Sequence, residues 1–193
     1  MPQSAVLLMD LQRDFLNAEA GRMPVAAADA NAVLKVANQV LSKNILANAL
    51  PILVVNAFPA TARIGNFFRK GAAVAGTAGA EIDERLRRSG SEIIIAKASA
   101  SAFSNPALAA CLRANGIREI CVLGVYAEGC VRATVIDAIK LGYRVHVIAN
   151  AVATNAIWKK RFALWAMKRA GAKIWPCVEV LTQGTPTNAP ANR

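Results

Sequence analysis

Short, solidly apolar runs of sequence alternate along this chain with segments whose apolar residues recur at helical spacing. Such runs, without polar alternation, are typical of strands that are buried on both faces. Strands that alternate with helices indicate a parallel sheet covered on both sides. The sequence therefore predicts a doubly wound α/β/α sandwich, Rossmann-like, with a mainly parallel sheet of about six strands. The predicted strands are residues 4–9, 52–56, 92–96, 118–123, 143–149 and 172–175.

The helical segments between these strands have recognisable ends. Pro51 is expected to end the longest one, and Asn105 with Pro106 forms a cap and first-turn pair that opens another. Residues 57–79 have no clear period and are predicted as a long surface loop, a candidate to line a site. The predicted helices are residues 27–50, 81–88, 106–115, 135–141 and 155–170.

The composition is that of a globular chain, because 55% of the 193 residues are hydrophobic and 18% are charged. One domain is predicted for residues 1–181, with a loose tail at residues 182–193. No apolar run is long enough to cross a bilayer, and the first strand begins too early for a signal peptide. We therefore expect a cytoplasmic protein without a membrane partner. The four cysteines show no CxxC pairing, which fits reduced thiols.

The formal charge of +11 raises the possibility of nucleic-acid binding. The densest basic group, residues 159–169, lies on an amphipathic helix, so a solvated helix face is favoured and no nucleic-acid partner is predicted. Attraction of anionic substrates or partners stays open. Trp158 and Trp165 lie seven residues apart on the same helix and fit either the core or a subunit interface. A homo-oligomer, dimer or tetramer, is expected.

Cys130 stands where the fourth predicted strand hands over to a helix. Such a turn exposes a side chain at the carboxyl edge of the sheet, where open α/β folds bind their ligands. Unpaired N–H groups and the helix dipole favour an anion there, so the thiol is expected to have a lowered pKa and to be a good nucleophile. The alternative is a small buried hydrophobe, as most free cysteines are.

Two further predicted strands end in reactive side chains, Asp10 after the first and Lys97 after the third. In a doubly wound sheet the first strand is central, so these ends can converge with Cys130. Asp10 then serves as a general base, while Lys97 holds the thiolate and keeps the carboxylate ionised. The backbone N–H groups of Tyr126 and Cys130 can hold an oxyanion. Taken singly, Asp10 also fits a helix N-cap and Lys97 a solvent-facing strand end.

Three motifs, in this order along the chain, carry a resemblance to a known superfamily. They are residues 5–15 (AVLLMDLQRDF), 97–103 (KASASAF) and 124–131 (GVYAEGCV). They resemble the opening, lysine and nucleophile motifs of the isochorismatase-like cysteine hydrolases, which include nicotinamidases and N-carbamoylsarcosine amidohydrolase. The resemblance covers about residues 4–154 and is specific to the superfamily, not to a substrate.

That resemblance implies a catalytic triad of Asp10, Lys97 and Cys130. It also implies a cis peptide bond between Val125 and Tyr126, which aims the Tyr126 N–H into the oxyanion hole. Both implications concern the carboxyl edge to which the strand ends already point.

The sequence departs from the pattern of this superfamily at the metal site. Nicotinamidases of the superfamily carry Asp and His ligands after the second strand, where this sequence reads NAFP and only Asn56 is polar. The single histidine, His146, lies inside the fifth predicted strand and fits a core or surface strand residue better than a ligand. First-row metals prefer imidazole or several carboxylates, so no metal and no other cofactor is predicted.

The leading functional hypothesis is an amidohydrolase that cleaves a C–N bond of a small amide or carbamoyl compound through a thioester. An isochorismatase-type vinyl ether hydrolase is the first alternative, although such enzymes typically lack the cysteine. A catalytically idle binding or oligomeric scaffold is the second alternative. Phe15, Phe103 and Tyr126 are candidate walls of the substrate pocket, while core packing is the common role of such aromatic residues.

Overall fold

The structure, a computed structural model, describes residues 4–42, 49–88 and 90–177, so the predicted tail at residues 182–193 lies outside it. The strands are β1 (Ser4–Met9), β2 (Ala49–Asn56), β3 (Ile93–Lys97), β4 (Glu119–Val125), β5 (Arg144–Ala153) and β6 (Lys173–Trp175). The helices are α1 (Arg13–Leu16), α2 (Ala27–Leu41), α3 (Arg63–Phe68), α4 (Pro106–Ala114), α5 (Arg132–Lys140) and α6 (Ile157–Ala170). Shorter turns are 3₁₀ at Ala78–Ala80 and Ala102–Ser104 and π-helical at Ala127–Val131.

The strand order across the sheet is β3-β2-β1-β4-β5-β6, and each of these neighbouring pairs is parallel. This order confirms the predicted doubly wound α/β architecture. β1 lies between β2 and β4, so the first strand is central, as expected. The direction of winding reverses there, which is where α/β folds of this kind collect functional side chains at the carboxyl ends of their strands.

Both faces of the sheet are covered, which explains why its strands are apolar without alternation. Along β1, Val6 and Leu8 enter one core layer, and Ala5, Leu7 and Met9 enter the other. The first layer is closed by α2, and the second by α4, α5 and α6. The strand ends are therefore held from both sides by packed side chains, as close packing in a core requires.

The helix predicted for residues 27–50 is shorter in the structure, because α2 ends at Leu41. Residues 43–48 lie outside the described ranges, and β2 already begins at Ala49, so Pro51 belongs to a strand. Proline lacks an N–H, and a strand tolerates it where one side has no neighbour. β3 pairs with β2 only from Ile52 onward, which leaves Pro51 at such a place.

The helix predicted for residues 81–88 is absent from the structure, where this segment forms bends and turns. Its backbone pairs instead with the chain that leaves β1. The Arg13 N–H donates to the Glu81 carbonyl (3.0 Å), and the Asp83 N–H donates to the Leu11 carbonyl (2.9 Å). The Asp83 carboxylate also accepts from the Arg85 backbone N–H (3.0 Å). Because these contacts engage the groups that a helix would pair internally, the prediction was wrong.

Other predicted features are confirmed. Asn105 caps α4, since its Oδ1 accepts a hydrogen bond from the Ala107 N–H (2.9 Å), and Pro106 occupies the first turn. The last helix ends at Ala170, as predicted, and Gly171 follows it with a left-handed φ of 112°. The segment 57–79 differs in detail, because it contains α3. Across the described ranges, no helix is both long enough and apolar enough to cross a membrane.

Candidate active site

Polar side chains at the carboxyl ends of four adjacent strands meet in one cluster. Asp10 follows β1 directly, Asn56 and Lys97 are the last residues of β2 and β3, and Cys130 lies in the helical turn after β4. The order β3-β2-β1-β4 places these four ends side by side. The structure thus brings together the three residues singled out from the sequence and adds Asn56 to them.

Lys97 is the centre of the cluster. Its ammonium donates to Asp10 Oδ2 (3.1 Å) and Asn56 Oδ1 (2.6 Å), and it lies 3.2 Å from Cys130 Sγ. These three contacts match the three donors of an ammonium group. Lys97 and Asp10 are only 3% and 1% exposed, so the ion pair is shielded from water. Lys97 is therefore not a solvent-facing strand end. Asp10 is not a helix N-cap, because the N-cap of α1 is Gln12.

The role of Asn56 was not predicted from the sequence. There it was noted only as the single polar residue of the segment where nicotinamidases have metal ligands. In the structure it is buried, and its Nδ2 lies 3.9 Å from Cys130 Sγ. Gln12 fixes its backbone from both sides, because Nε2 donates to the Asn56 carbonyl and Oε1 accepts from the Asn56 N–H. The same Nε2 donates to the Ala80 carbonyl (2.6 Å). A polar residue that ends a strand beside the central one was the available signal.

Burial changes the proton affinities of the two acidic groups in the cluster. Loss of hydration raises the pKa of Asp10, against the opposing effect of the Lys97 charge. Burial and the neighbouring Asp10 carboxylate raise the pKa of Cys130 to about 12. The expected lowering of the thiol pKa was therefore wrong, because desolvation of the thiolate outweighs the local positive field. Burial thus favours the neutral thiol of Cys130 and increases the basicity of the Asp10 carboxylate.

The chain turns sharply between β4 and α5, and Cys130 lies within that turn. The peptide bond between Val125 and Tyr126 is cis. The Tyr126 carbonyl accepts hydrogen bonds from the N–H groups of Gly129 (3.0 Å) and Val131 (3.2 Å). These contacts close the turn around the cysteine and hold it at the carboxyl edge of β4.

Gly124 allows β4 to reach that turn. Its φ is 122°, and a Cβ at this position would lie 2.1 Å from the Met9 carbonyl oxygen. This close contact between the two backbones excludes residues other than glycine, and such a φ would strain them. Met9 directly precedes Asp10, so the close contact of these two strands brings the base toward the nucleophile.

Two of the three aromatic residues expected to wall a pocket meet beside this turn. Phe15 and Tyr126 pack edge to face, with ring centroids 5.7 Å apart, and the Tyr126 hydroxyl donates to the Met23 carbonyl. Phe103 instead packs into the core layer of α4 and α5, where its ring stacks on Tyr143 at 5.9 Å. Tyr143 directly precedes β5 at the opposite edge of the sheet. The stacking partner of Phe103 is thus a residue at the amino end of β5.

Asp14 ties the segment between β2 and β3 to the chain after β1. Its Oδ2 accepts from the Ala73 N–H (2.8 Å), and its Oδ1 accepts from the Arg22 N–H (3.2 Å). Gly79 passes directly over this carboxylate, since a Cβ there would lie 2.2 Å from Oδ2. Residues 57–79 are thus anchored beside the cluster by a buried carboxylate, as buried polar groups require partners.

Comparison with known proteins identifies relatives of the whole described chain. Residues 4–177 match the family model of the isochorismatase domain. The crystal structure of a pyrazinamidase of Pyrococcus horikoshii in complex with zinc has a TM-score of 0.79 and 32% identity, covering 90% of this chain and 98% of that chain. N-carbamoylsarcosine amidase from Thermoplasma acidophilum has a TM-score of 0.75 and 26% identity, covering 91% of this chain and 96% of that chain.

Curated relatives give a less uniform result. A protein of Arabidopsis thaliana, named a probable inactive nicotinamidase, is 28% identical over 183 residues, which cover 88% of this chain and 90% of that protein. The chain spans only 25% to 35% of the length of the first curated relatives that it matches. The family match thus extends over residues 4–177, while the names of the relatives include both an amidase and a probable inactive enzyme.

Because the Pyrococcus structure contains zinc, we compared the possible metal ligands of this chain with those that zinc requires. The residues within the described ranges contain no group of three or more His, Cys, Asp and Glu that could hold a metal ion. After β2, Asn56 presents an amide oxygen that is already bonded to Lys97. His146 is buried in β5, where it bonds Glu119 and packs on Trp175 with ring centroids 4.1 Å apart. These donors do not fit a first-row metal.

Proposed function

Because the chain belongs to the isochorismatase family of hydrolases, we propose that it is a cysteine-dependent amidohydrolase acting on a small amide or carbamoyl compound. The observation that carries this proposal is the Lys97 ammonium, within hydrogen-bonding distance of both Asp10 Oδ2 and Cys130 Sγ. A carboxylate, an ammonium and a thiol in one buried cluster supply a base, a counter-charge and a nucleophile. Relatives named as amidases support the same class of reaction.

In the first half of the proposed cycle, Asp10 accepts the thiol proton as Cys130 Sγ attacks the substrate carbonyl carbon. Asp10 suits this role because burial raises its pKa, and because its carboxylate and the Cys130 thiol both contact the Lys97 ammonium. The N–H groups of Tyr126 and Cys130 hold the oxyanion. The C–N bond then breaks, Asp10 returns the proton to the leaving nitrogen, and an acyl thioester remains on Sγ.

Water completes the cycle. Asp10 accepts a proton from the water molecule as the water oxygen attacks the thioester carbonyl carbon. The same two N–H groups hold the second oxyanion. The C–S bond breaks, the proton passes to Sγ, and the acid product leaves. Asp10 and Cys130 end in the ionisation states in which they began.

Lys97 stays positively charged through this sequence and compensates a negative charge that moves between Asp10, the sulfur and the oxyanion. The short contact of 2.6 Å to Asn56 Oδ1 holds the ammonium between the other two groups. Asn56 is therefore a positioning residue that acts through Lys97. A buried cation without such contacts would lose hydration with no compensation.

Ether cleavage and an idle scaffold are the two alternatives. Vinyl ether hydrolases of the superfamily typically lack the cysteine, whereas Cys130 here lies 3.2 Å from the Lys97 ammonium. A scaffold would gain nothing from a buried carboxylate–ammonium pair placed against a thiol, since removing such charges from water costs stability. Both observations favour acyl transfer to the thiol.

The test is a screen of small primary amides and carbamoyl compounds for release of ammonia or amine. Cys130→Ala is compared with Cys111→Ala, a matched control, because Cys111 is a half-buried cysteine on α4 outside the cluster. We expect Cys130→Ala to lower turnover by at least about 10³-fold and Cys111→Ala to leave it unchanged. Intact mass should locate an acyl adduct on Cys130.

Three outcomes contradict the proposal. Turnover that survives Cys130→Ala would exclude the thiol as nucleophile. Cleavage of a vinyl ether with no amide turnover would favour the ether hydrolase. A well-folded protein without turnover on the panel and without an adduct would favour the scaffold.

A further inference from the structure

The solvent-facing side of α6 exposes three large aromatic side chains. Trp158, Phe162 and Trp165 are 66%, 51% and 59% exposed, and the rings of Phe162 and Trp165 lie 5.8 Å apart. Their spacing of four and three residues places them on one face of the helix, here called the aromatic stripe. The opposite face buries Ala163 and Met167 in the core. Large apolar patches left in water mark interaction sites.

The same helix is strongly basic. Its five cationic residues are Lys159, Lys160, Arg161, Lys168 and Arg169, and it has no acidic residue. Lys159 is compensated by Glu128 (3.6 Å) and by Asn155 Oδ1 (2.9 Å). The other four side chains form no ion pair within the described part of the chain. The aromatic stripe is thus flanked by uncompensated positive charge.

We propose that α6 is a peripheral docking helix that lays the aromatic stripe on a bilayer surface containing anionic phospholipids. Aromatic rings partition into the interfacial region of a bilayer, and lysine and arginine are attracted to anionic headgroups. Apolar burial and charge act together here, which is what reversible surface binding requires. The expectation of no membrane partner rested on the lack of a spanning run, and a helix that lies on the surface needs none.

A second copy of this chain is the competing occupant of the aromatic stripe. Two α6 helices placed face to face would bring the uncompensated cations of both copies together. Like charges opposed across an interface are destabilising, whereas an anionic surface complements them. The charge of α6 therefore favours the bilayer, and a homo-oligomer would use another surface.

Tryptophan fluorescence reports directly on this helix. Two of the three tryptophans lie in the aromatic stripe, and Trp175, packed on His146, is replaced by Phe to remove its background. The protein is mixed with vesicles of phosphatidylcholine alone or with phosphatidylglycerol added at about one part in four. We expect co-sedimentation with the anionic vesicles, a blue-shifted emission and quenching by acyl-chain-brominated lipid. Neutral vesicles should bind at least about tenfold more weakly.

Variants separate the aromatic stripe from general charge attraction. Trp158→Ser with Trp165→Ser should weaken co-sedimentation by at least about tenfold, and Arg161→Gln with Lys168→Gln by a similar factor. The matched control is Arg113→Gln with Arg118→Gln, which removes two exposed arginines near the α4–β4 turn. This control should bind within about twofold of wild type. Circular dichroism verifies that each variant is folded.

Three kinds of result would overturn the proposal. Anionic binding without quenching by brominated lipid, or equal losses in both pairs of charge variants, would show non-specific attraction of a basic protein. Absence of binding to either vesicle would also exclude docking. A wild-type oligomer that dissociates on Trp158→Ser with Trp165→Ser, in the absence of lipid, would assign the aromatic stripe to a second copy.

Discussion

The side chain of Gln12 brackets the backbone of Asn56, accepting from its N–H and donating to its carbonyl, both at 2.8 Å. Gln12 lies just beyond β1, so its amide pairs with the end of β2 where the neighbouring strand has already finished. The bracketed residue is the one whose Oδ1 accepts from the Lys97 ammonium. Gln12 thus positions the Lys97 ammonium through Asn56.

Asn56→Ala tests this chain of contacts. The variant removes an acceptor from Lys97, so we expect kcat to fall by about 10-fold to 10²-fold, with a smaller change in KM. The acid limb of the pH profile should also move to higher pH, because the Asn56 side chain helps to lower the pKa of Asp10. The control is Asn38→Ala, since Asn38 bonds the Arg85 carbonyl and the Arg87 N–H outside the cluster. A wild-type kcat and pH profile would remove Asn56 from the mechanism.

His146 gives the stability of the fold its own dependence on pH. Burial lowers the pKa of His146 from 6.5, outweighing the nearby Glu119 carboxylate. The unfolded chain therefore binds this proton more tightly than the folded chain. The contribution to stability is complete above about pH 6.5 and decreases as the pH falls from there to the lower folded pKa.

We accordingly expect Tm, measured by calorimetry, to be lower at about pH 5.5 than at about pH 7.5. His146→Gln keeps a hydrogen-bonding side chain beside Glu119 but does not titrate, so this variant should flatten the decrease. A Tm curve for the variant that runs parallel to the wild-type curve would assign the slope to other groups.

The positions of Asp10, Lys97 and Cys130 could be predicted because each stands at or just after a strand end. Parallel strands share one carboxyl edge, so topology alone brings such residues to the same side of the sheet. Asn56 also ends a strand, but its role depends on the Lys97 ammonium, which comes from another part of the chain. Nothing local in the sequence distinguishes it from an ordinary strand-end amide.

Two other properties were set by packing rather than by local sequence. Residues 81–88 have a helical pattern, but their backbone pairs with the chain after β1 instead of forming a helix. That pairing partner is present only in the folded protein. The pKa of Cys130 follows burial, whereas the sequence supplies only the neighbouring helix start and its dipole. Desolvation depends on every element that covers the site, so it becomes predictable only once those elements are placed.

Chelation tests the expectation that turnover needs no metal. The donors near the cluster are an amide, a paired carboxylate and a half-buried thiol, which suit a covalent mechanism better than a first-row metal. Treatment with EDTA followed by dialysis should therefore leave kcat/KM within about twofold of the untreated protein. Stoichiometric metal by elemental analysis, with turnover lost on chelation and restored by zinc, would contradict this.

The last prediction concerns the pH dependence of turnover, which follows from the ionisation of Asp10 and Cys130. The productive state has an ionised carboxylate and a neutral thiol. Burial raises the pKa of Asp10 above its ordinary 3.8, so kcat/KM should fall as the pH decreases through that raised value. Burial and Asp10 raise the pKa of Cys130 to about 12, so no thiol ionisation should appear in the profile up to about pH 10.

Lys97→Met distinguishes this mechanism, in which Asp10 deprotonates a neutral thiol, from one in which Cys130 is already a thiolate. Removal of the ammonium destabilises the Asp10 carboxylate, so the acid limb should move to higher pH, with turnover lower by about 10²-fold or more at neutral pH. The matched control is Lys140→Met on α5, which removes the same charge at the surface, where its ammonium lies 3.9 Å from Asp137. Rates are measured by ammonia release across the pH range. A wild-type rate that rises with an apparent pKa near about 8 would instead identify a thiolate of ordinary acidity as the nucleophile.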